Sequence, residues 1–234
     1  MTENNKLRPR KELEEALRRI NDSFDFKDAH LELSSDERNG SLVSFLKEHF
    51  YCDEVLSKSL EAELDEEVAA LFTEIFRENL SVLLISDITG EIIATRSMCL
   101  ARKGEKADWS RAKNRKMVII MDFLGHKYDE MDVFKRYNVD IVVAFVALAT
   151  HKDHRAQGIA SKVMKATLLF CKELGLSPVC IKGEGTSNYS QKIYEKFAFE
   201  TIHTLPYDEY KIDGEIVFKN TGENKSTKCY VKQL

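Results

Sequence analysis

The sequence is poor in residues that interrupt regular structure, with three prolines and ten glycines among its 234 residues, and it has one tryptophan. This scarcity excludes collagen-like repeats and proline-rich or glycine-rich low-complexity chains. Hydrophobic residues make up 43% of the chain and charged residues 32%, which is typical of a globular protein. A chain of this length buries roughly 70–75% of its unfolded surface, so we expect it to fold without a metal or disulfide staple.

The cysteines follow no disulfide or metal-binding pattern. They are odd in number, lie far apart and include no C-x-x-C pair: Cys52, Cys99, Cys171, Cys180 and Cys229. Such a set indicates reduced thiols and a cytoplasmic location. His151 and His154 form an H-x-x-H pair, but no cysteine or further histidine lies near them in the sequence. We therefore expect no metal site.

The chain also lacks a membrane span, a secretion signal and an excess of positive charge. Its longest apolar run, residues 139–150, is interrupted by Asp140 and is shorter than the about 18 residues that a span needs. The first six residues contain no apolar signal core. With 35 Lys and Arg against 39 Asp and Glu, the net charge of -4 argues against nucleic acid as the main partner. We expect a cytoplasmic monomer that binds neither membranes nor nucleic acid.

Periodic patterns predict a mixed α/β fold. Apolar residues at helical spacing predict helices over residues 36–50, 65–78, 117–128, 131–137, 159–174 and 187–196. β-rich runs predict a strand over residues 29–33, a hairpin over 81–96, a buried central strand over 139–149, and a last strand pair of 216–218 with 227–231. Residues 11–20 form either an amphipathic helix or part of a partly ordered extension. We expect an N-terminal extension, residues 1–28, and one domain, residues 29–234.

The segment with the most chemical information follows the central strand and reads Arg155-Ala156-Gln157-Gly158-Ile159-Ala160. A helix that begins here presents unpaired N–H groups and a partial positive charge, which together bind anions. The small residues let a ligand approach the backbone, and Lys152 and Arg155 add positive charge. The segment favours a pyrophosphate site, although an ordinary strand-to-helix turn explains its spacing equally well. The chain has no G-x-x-x-x-G-K-[ST] motif, which excludes a Walker-type nucleotide site.

Three motifs together resemble one enzyme superfamily. Residues 155–160 match the Q/R-x-x-G-x-G/A signature of the GNAT N-acetyltransferases, and residues 187–199 resemble the second signature, which ends in YEK-x-G-F. Residues 45–56 resemble the FL-x-x-x-F-F-x-x-EPL segment of the insect arylalkylamine N-acetyltransferases, the dopamine N-acetyltransferase-like branch. The resemblance covers residues 29–234.

The resemblance implies a GNAT fold, an α/β domain in which helices flank a mixed central sheet with splayed parallel strands. It also implies acetyl-CoA as the co-substrate and no metal. The pantetheine arm is expected along the backbone of the central strand, and the pyrophosphate at the helix N-terminus that follows. The residues implied are Leu148, Ala149, Thr150, Arg155, Ala156, Gln157, Gly158, Ile159, Ala160 and Ser161.

The resemblance further implies four catalytic residues. Glu54 matches the glutamate of the EPL segment, which relays a proton from the substrate amine. Ser187 and Ser190 match two hydroxyl residues that accompany it, and Tyr194 occupies the place of a tyrosine that protonates the departing thiolate. Each has a simpler alternative: Glu54 as a solvated residue, Ser187 as a helix N-cap, and Tyr194 as a packing residue.

The chain departs from the family pattern at three positions. Val55 replaces the proline after Glu54, and Ala156 and Ala198 stand where many relatives carry glycine. None of these changes removes a reacting side chain. Val55 affects the loop that positions Glu54.

The activity implied is direct acetyl transfer, within a ternary complex, from acetyl-CoA to a small arylalkylamine of the dopamine, serotonin, tyramine or octopamine class. The alternatives are a polyamine, amino-acid or protein-lysine acceptor, a longer acyl donor, or a CoA-binding module without activity. The acceptor pocket is expected in the loops at residues 51–60 and 102–115, the second of which contains Trp109.

Overall fold

The structure is a computed structural model that describes residues 6–105 and 112–234. The described residues contain nine strands and eight α-helices. In chain order they are α1 (Arg10–Asn21), β1 (Ala29–Leu33), α2 (Asp36–Leu46), α3 (Val55–Ser59), α4 (Glu66–Ile75), β2 (Val82–Ser86), β3 (Ile92–Arg102), α5 (Arg115–Met131), α6 (Val133–Arg136), β4 (Ile141–Thr150), α7 (Ile159–Cys171), β5 (Cys180–Gly185), α8 (Asn188–Lys196), β6 (Glu200–Pro206), β7 (Lys211–Ile212), β8 (Glu215–Ile216) and β9 (Ser226–Gln233). A π-helix spans Lys47–Tyr51, and a 3₁₀ turn spans Lys152–His154.

Seven of the strands form one mixed sheet in the order β1-β2-β3-β4-β5-β9-β6. The pair β4 and β5 is parallel, and the other neighbouring pairs are antiparallel. The helix α7 makes the crossover between the two parallel strands, as a parallel connection requires. This arrangement confirms the predicted fold class, a mixed sheet flanked by helices.

The two parallel strands separate part-way along their length. On β3, Ser97 pairs with Ala147 while Met98 pairs with Phe145, so Val146 is an extra residue that forms a β-bulge in β4. The parallel pairing comprises three residue pairs and ends at Phe145 and Gly183. Because β4 continues to Thr150 and β5 to Gly185 without further pairing, a gap opens between them beyond the bulge.

Both faces of the sheet are covered. On one face, α1 and α7 contribute Leu13, Leu17, Val163 and Phe170 to a core cluster that includes the inward residues of β1 to β5. On the other face, a second cluster joins α2 and α4 to the sheet. Residues 10–21 are thus a helix that packs into the main core. No helix within residues 6–105 and 112–234 is both long and apolar enough to cross a membrane.

Two details of the predicted elements are wrong. Residues 216–218 do not pair with residues 227–231, because Ile216 lies in β8, which forms a two-stranded hairpin with β7, and β9 lies between β5 and β6. The turn of that hairpin is Asp213-Gly214, and both residues have positive φ, the sequence and geometry that a tight hairpin favours. The helix predicted to reach residue 50 ends as an α-helix at Leu46 and continues as the π-helix.

Ala198 lies in a backbone conformation that favours glycine. It follows the C-terminal end of α8 with φ +53°, the left-handed conformation common at this position of a helix terminus. A glycine there avoids the steric cost that a Cβ atom brings. The family glycine at this position therefore has a backbone role, and the chain keeps that conformation with an alanine.

We expect Ala198→Gly to raise the free energy of unfolding by about 1 kcal/mol, since the left-handed backbone no longer carries a Cβ atom. The measurement is urea or thermal unfolding, in which about 1 kcal/mol moves Tm by roughly 2–4 °C for a chain of this size. The matched control is Ala70→Gly at an exposed position of α4, which should lower the stability by about 1 kcal/mol. If the two substitutions changed the free energy of unfolding in the same direction, the backbone role assigned to position 198 would be wrong.

Candidate active site

The predicted pyrophosphate segment forms an open helix N-terminus. Ala156 and Gly158 have φ values of +59° and +75°, and Gly158 is the N-cap of α7. These two left-handed residues turn the chain so that the first N–H groups of α7, which have no partner within the helix, face outward. Residues 155–158 are exposed, and a Cβ at Gly158 would meet nothing within 4 Å. The segment can therefore receive an anion on its backbone.

The side chain of Arg155 connects this segment to the one that carries Glu54. Its guanidinium donates to the backbone carbonyl of Thr150 at 3.2 Å, to the carbonyl of His49 at 2.7 Å and to the carboxylate of Asp53 at 2.8 Å. Arg155, predicted as a cofactor residue, thus also fixes the π-helix and Asp53 against the end of β4. Residue spacing did not indicate the bonds to His49 and Asp53, because both partners lie more than 100 residues from Arg155.

A histidine pair supports the same junction. The rings of His49 and His151 are 4.0 Å apart, and the backbone N–H of Lys152 donates to Nδ1 of His49 at 3.3 Å. Burial, together with the nearby His151, lowers the pKa of His49. His49 was not among the predicted site residues. No group of three His, Cys, Asp or Glu side chains in the described parts of the chain is arranged to hold a metal ion.

The end of β4 has one backbone edge that pairs with no strand in the described residues, although the Thr150 carbonyl accepts from Arg155. Thr150, Ala149 and Leu148 pair with β3 on one side, whereas their other side faces the gap that separates β4 from β5. An unpaired strand edge presents N–H and C=O groups to any extended chain that lies along it. The three residues predicted to bind the pantetheine arm therefore form the wall of the gap.

Glu54 is a half-buried N-cap residue. Its Oε2 accepts hydrogen bonds from the backbone N–H of Ser57 at 2.8 Å and from the Ser57 hydroxyl at 2.9 Å. Its Oε1 is buried and has no hydrogen-bond partner in the described residues. Val55, which replaces the family proline, occupies the first position of α3, where proline is favoured. The helix forms without it, and Glu54 keeps the capping role.

Two tyrosines interact electrostatically with the Glu54 carboxylate. The hydroxyl of Tyr51 is buried, and burial raises the pKa of Tyr51, opposed by the nearby Ser57 hydroxyl and assisted by the Glu54 carboxylate. Burial and the Glu54 charge also raise the pKa of Tyr207. The Tyr207 hydroxyl donates to the carbonyl of Thr186 and accepts from the Thr227 hydroxyl. Tyr207, which the sequence did not reveal, thus connects the surroundings of Glu54 to the start of α8.

Ser187 and Ser190 form a capping box at the start of α8. The backbone N–H of each residue donates to the hydroxyl of the other at 3.1 Å, and the two hydroxyl oxygens are 3.1 Å apart. The predicted N-cap role of Ser187 is confirmed. A role for either hydroxyl in catalysis stays a prediction.

Tyr194 lies at the base of the gap. It is 3% exposed, and its ring stacks on Tyr230 with centroids 4.6 Å apart. Its hydroxyl accepts a hydrogen bond from the guanidinium of Arg96 and packs against Gly183, where a Cβ atom would lie 2.2 Å from the hydroxyl oxygen. Burial raises the pKa of Tyr194 and the Arg96 charge opposes this shift. Arg96 was not among the predicted site residues, although an arginine within the apolar, β-rich run of β3 could have indicated a buried charge.

The sequence matches the model of the acetyltransferase (GNAT) family over residues 45–199, more than half of the chain. The chain belongs to the GNAT acetyltransferase family. The match includes β4, the bulge, the helix N-terminus at Gly158 and the second signature up to Phe199. The splayed strands therefore belong to an acetyltransferase fold.

Solved structures of N-acetyltransferases share the fold of this chain but little of its sequence. Arylalkylamine N-acetyltransferase 2 from Aedes aegypti has a TM-score of 0.81 at 19% identity and covers 88% of this chain and 99% of its own. The polyamine N-acetyltransferase of Drosophila melanogaster, which forms N-acetylagmatine, has a TM-score of 0.77 at 17% identity and covers 88% and 100%. NAA60 of Arabidopsis thaliana in complex with acetyl-CoA has a TM-score of 0.52 at 11% identity and covers 88% and 98%. These likenesses establish the fold.

Part of the expected acceptor pocket lies outside the described residues. This part comprises residues 106–111 and includes Trp109. The other expected segment, residues 51–60, contains α3 and its N-cap Glu54.

Proposed function

We propose that this GNAT acetyltransferase transfers an acetyl group from acetyl-CoA to a small arylalkylamine within a ternary complex. The observation that carries the proposal is the buried Glu54 Oε1, which lacks a partner in the described residues although Oε2 is fully engaged. A buried polar atom without a partner costs free energy, so its presence indicates an incoming donor. A substrate ammonium group supplies that donor.

The donor site that we propose has two parts. The unpaired edge of β4, from Leu148 to Thr150, binds the amides of the pantetheine arm in the manner of an added strand. The backbone N–H groups at the start of α7, from Gln157 to Ser161, bind the pyrophosphate. Arg155, which contacts both the end of β4 and Asp53, connects this donor site to the segment next to Glu54.

The chemistry follows from the charge of the acceptor. An alkylamine with a pKa of about 10.4 is almost wholly protonated at neutral pH and is not nucleophilic. We assign removal of the proton to Glu54, directly or through an ordered water. The free amine then attacks the thioester carbonyl, backbone N–H groups of β4 stabilise the oxyanion, and the thiolate leaves. Ser187 and Ser190 are the candidates for proton relay and Tyr194 for protonation of sulfur.

A polyamine or agmatine acceptor is the second candidate. The specific observation in its favour is that an N-acetylagmatine-forming enzyme superposes on this chain almost as well as the arylalkylamine enzyme, with TM-scores of 0.77 and 0.81. Both classes present a protonated amine, so the same carboxylate serves either. The two acceptor classes differ only in the part of the molecule beyond the ammonium group, so contacts to that part determine which class the enzyme prefers.

The test is a thiol-release assay with acetyl-CoA and a panel of amines: dopamine, serotonin, tryptamine, agmatine, spermidine and a lysine peptide. We expect the arylalkylamines to give the highest kcat/KM and acetyl-CoA to raise Tm through linkage. Turnover of agmatine or spermidine alone would support the second candidate. A Tm shift with acetyl-CoA but no turnover of any amine would indicate a CoA-binding module, and a cytoplasmic monomer remains our prediction in each case.

A further inference from the structure

Among the buried residues whose side chains the structure describes, Arg96 is the only charged one, with 3% of its surface exposed. An arginine keeps its positive charge at any physiological pH. Burying that charge costs much free energy unless other groups compensate for it. Its Nε is buried with no hydrogen-bond partner in the same ranges. A charge held at such cost in the core points to a function.

The position of the guanidinium relates it to the gap between β4 and β5. Arg96 lies on β3 opposite Leu148, yet its Cζ is 4.0 Å from the ring centroid of Phe145 and 5.4 Å from that of Tyr194. Phe145 and Gly183 are the last paired residues of the two parallel strands, and the Tyr194 hydroxyl packs on Gly183. The side chain therefore passes beneath β4 and ends where the strands begin to separate.

The hydrogen bond between the two side chains has a defined direction. The guanidinium can only donate, so the Tyr194 oxygen accepts from Arg96. Because Arg96 has no acceptor atom, the hydroxyl hydrogen of Tyr194 cannot bond to Arg96 and points in another direction. With the ring fixed between Tyr230 and Phe199, the bond from Arg96 sets the orientation of the remaining O–H group.

We propose that Arg96 is a positioning residue for acetyl transfer, one that holds the Tyr194 hydroxyl so that its hydrogen is directed to the departing sulfur. This inference rests on the proposed function. As the amine nitrogen bonds to the carbonyl carbon and the C–S bond breaks, the bonding electron pair goes to sulfur. Tyr194 gives its proton to that thiolate, and the resulting tyrosinate faces the Arg96 cation. The substrate nitrogen loses two protons, one before the attack and one after the C–N bond has formed. Glu54 and water take up these protons: one restores the Tyr194 hydroxyl and the other is released to solvent.

Relative acidity explains why a cation is needed. A thiol has a pKa of about 8.5 and a tyrosine about 10, so proton transfer from tyrosine to thiolate is uphill even in water. Burial makes it more difficult, because it raises the pKa of Tyr194, and the Arg96 charge acts in the opposite direction. Arg96 therefore stabilises the tyrosinate that remains after Tyr194 has given its proton to the sulfur.

The experiment is a double-mutant cycle with Arg96→Met, Tyr194→Phe and the double variant, assayed with the best amine of the panel. We expect Arg96→Met to lower kcat by about 10-fold to 100-fold, a fraction of what an acid–base group contributes. KM for acetyl-CoA should change by less than about 3-fold, since the interaction strengthens only in the transition state. The double variant should be no slower than Tyr194→Phe, because Arg96 acts through Tyr194.

Two further variants separate positioning from packing. Arg96→Lys keeps the positive charge and should recover part of the kcat lost in Arg96→Met. Met164→Ala, in the core cluster that contains Phe145 and Tyr194, should lower Tm without lowering kcat. If Arg96→Met fails to fold, two comparisons of kcat still test the inference. The first is between the double variant, in which both side chains are apolar, and Tyr194→Phe. The second is between Arg96→Lys and the wild type.

Three outcomes would overturn the inference in a wild-type protein that acetylates amines: wild-type kcat in Arg96→Met, wild-type kcat in Tyr194→Phe, or additive losses in the double variant. Absence of acetyl transfer by the wild type with every amine would instead overturn the proposed function. The two failures are therefore distinguishable.

Discussion

Glu54→Gln is expected to lower kcat/KM by about 100-fold to 1,000-fold at neutral pH, the range over which a general base contributes. The amide still accepts hydrogen bonds, so it can cap α3 through the Ser57 N–H, and the fold should be retained. It cannot take a proton from the substrate ammonium. The substitution should therefore lower kcat/KM while Tm changes little.

The pH dependence distinguishes a base from a binding residue. Without a base, turnover depends on the small fraction of free amine, which rises about tenfold per pH unit until the amine pKa of about 10.4. The deficit of Glu54→Gln should thus narrow as pH rises. Glu48→Gln is the matched control, since Glu48 lies in the same segment with a 70% exposed side chain, and it should keep wild-type kcat/KM. Wild-type kcat/KM for Glu54→Gln at every pH would remove Glu54 from the mechanism.

Gly183→Ala should have the largest effect on stability, lowering the free energy of unfolding by about 1–3 kcal/mol as an overpacked core does. The added Cβ would lie 2.2 Å from the Tyr194 hydroxyl and 3.1 Å from Cβ of Phe145. The ring cannot withdraw readily, because it is buried and stacked on Tyr230. The substitution also displaces the hydroxyl from Arg96, so kcat should fall as well. Thermal unfolding and steady-state kinetics measure the two effects.

A second-site change tests the cause of that loss. Tyr194→Phe removes the oxygen with the closest approach and should restore part of the stability of Gly183→Ala, leaving the 3.0 Å approach of Cζ. Gly40→Ala provides the control, since Gly40 is exposed within α2 and an added Cβ meets nothing within 4 Å. It should be neutral or stabilising by up to about 1 kcal/mol. Equal destabilisation by Gly40→Ala and Gly183→Ala would show that a steric clash with Tyr194 is not the cause of the loss.

Features encoded by neighbouring residues were predictable from the sequence. The helix N-terminus at Gly158, the buried strand β4 and the cap at Ser187 each depend on a short continuous segment. The two alanines at family glycine positions are explained by the structure, because both Ala156 and Ala198 have positive φ. The position of the domain boundary near residue 29 stays a prediction.

Features that depend on distant partners were not predictable. Arg96 and Tyr194 are separated by 98 residues, and Arg155 and Asp53 by 102. β9 enters the sheet between β5 and β6, a choice that no local pattern specifies. A single sequence reports residue type and spacing, whereas these contacts depend on the order of strands in the sheet.

The measurement that tests the central claim most directly is the initial rate of CoA release with acetyl-CoA and the best amine of the panel varied together. Direct transfer in a ternary complex predicts intersecting double-reciprocal lines and one N-acetylated amine for each CoA released. Parallel lines, which indicate an acetylated enzyme intermediate, would contradict direct transfer, and the absence of CoA release with every amine would contradict acetyl transfer itself.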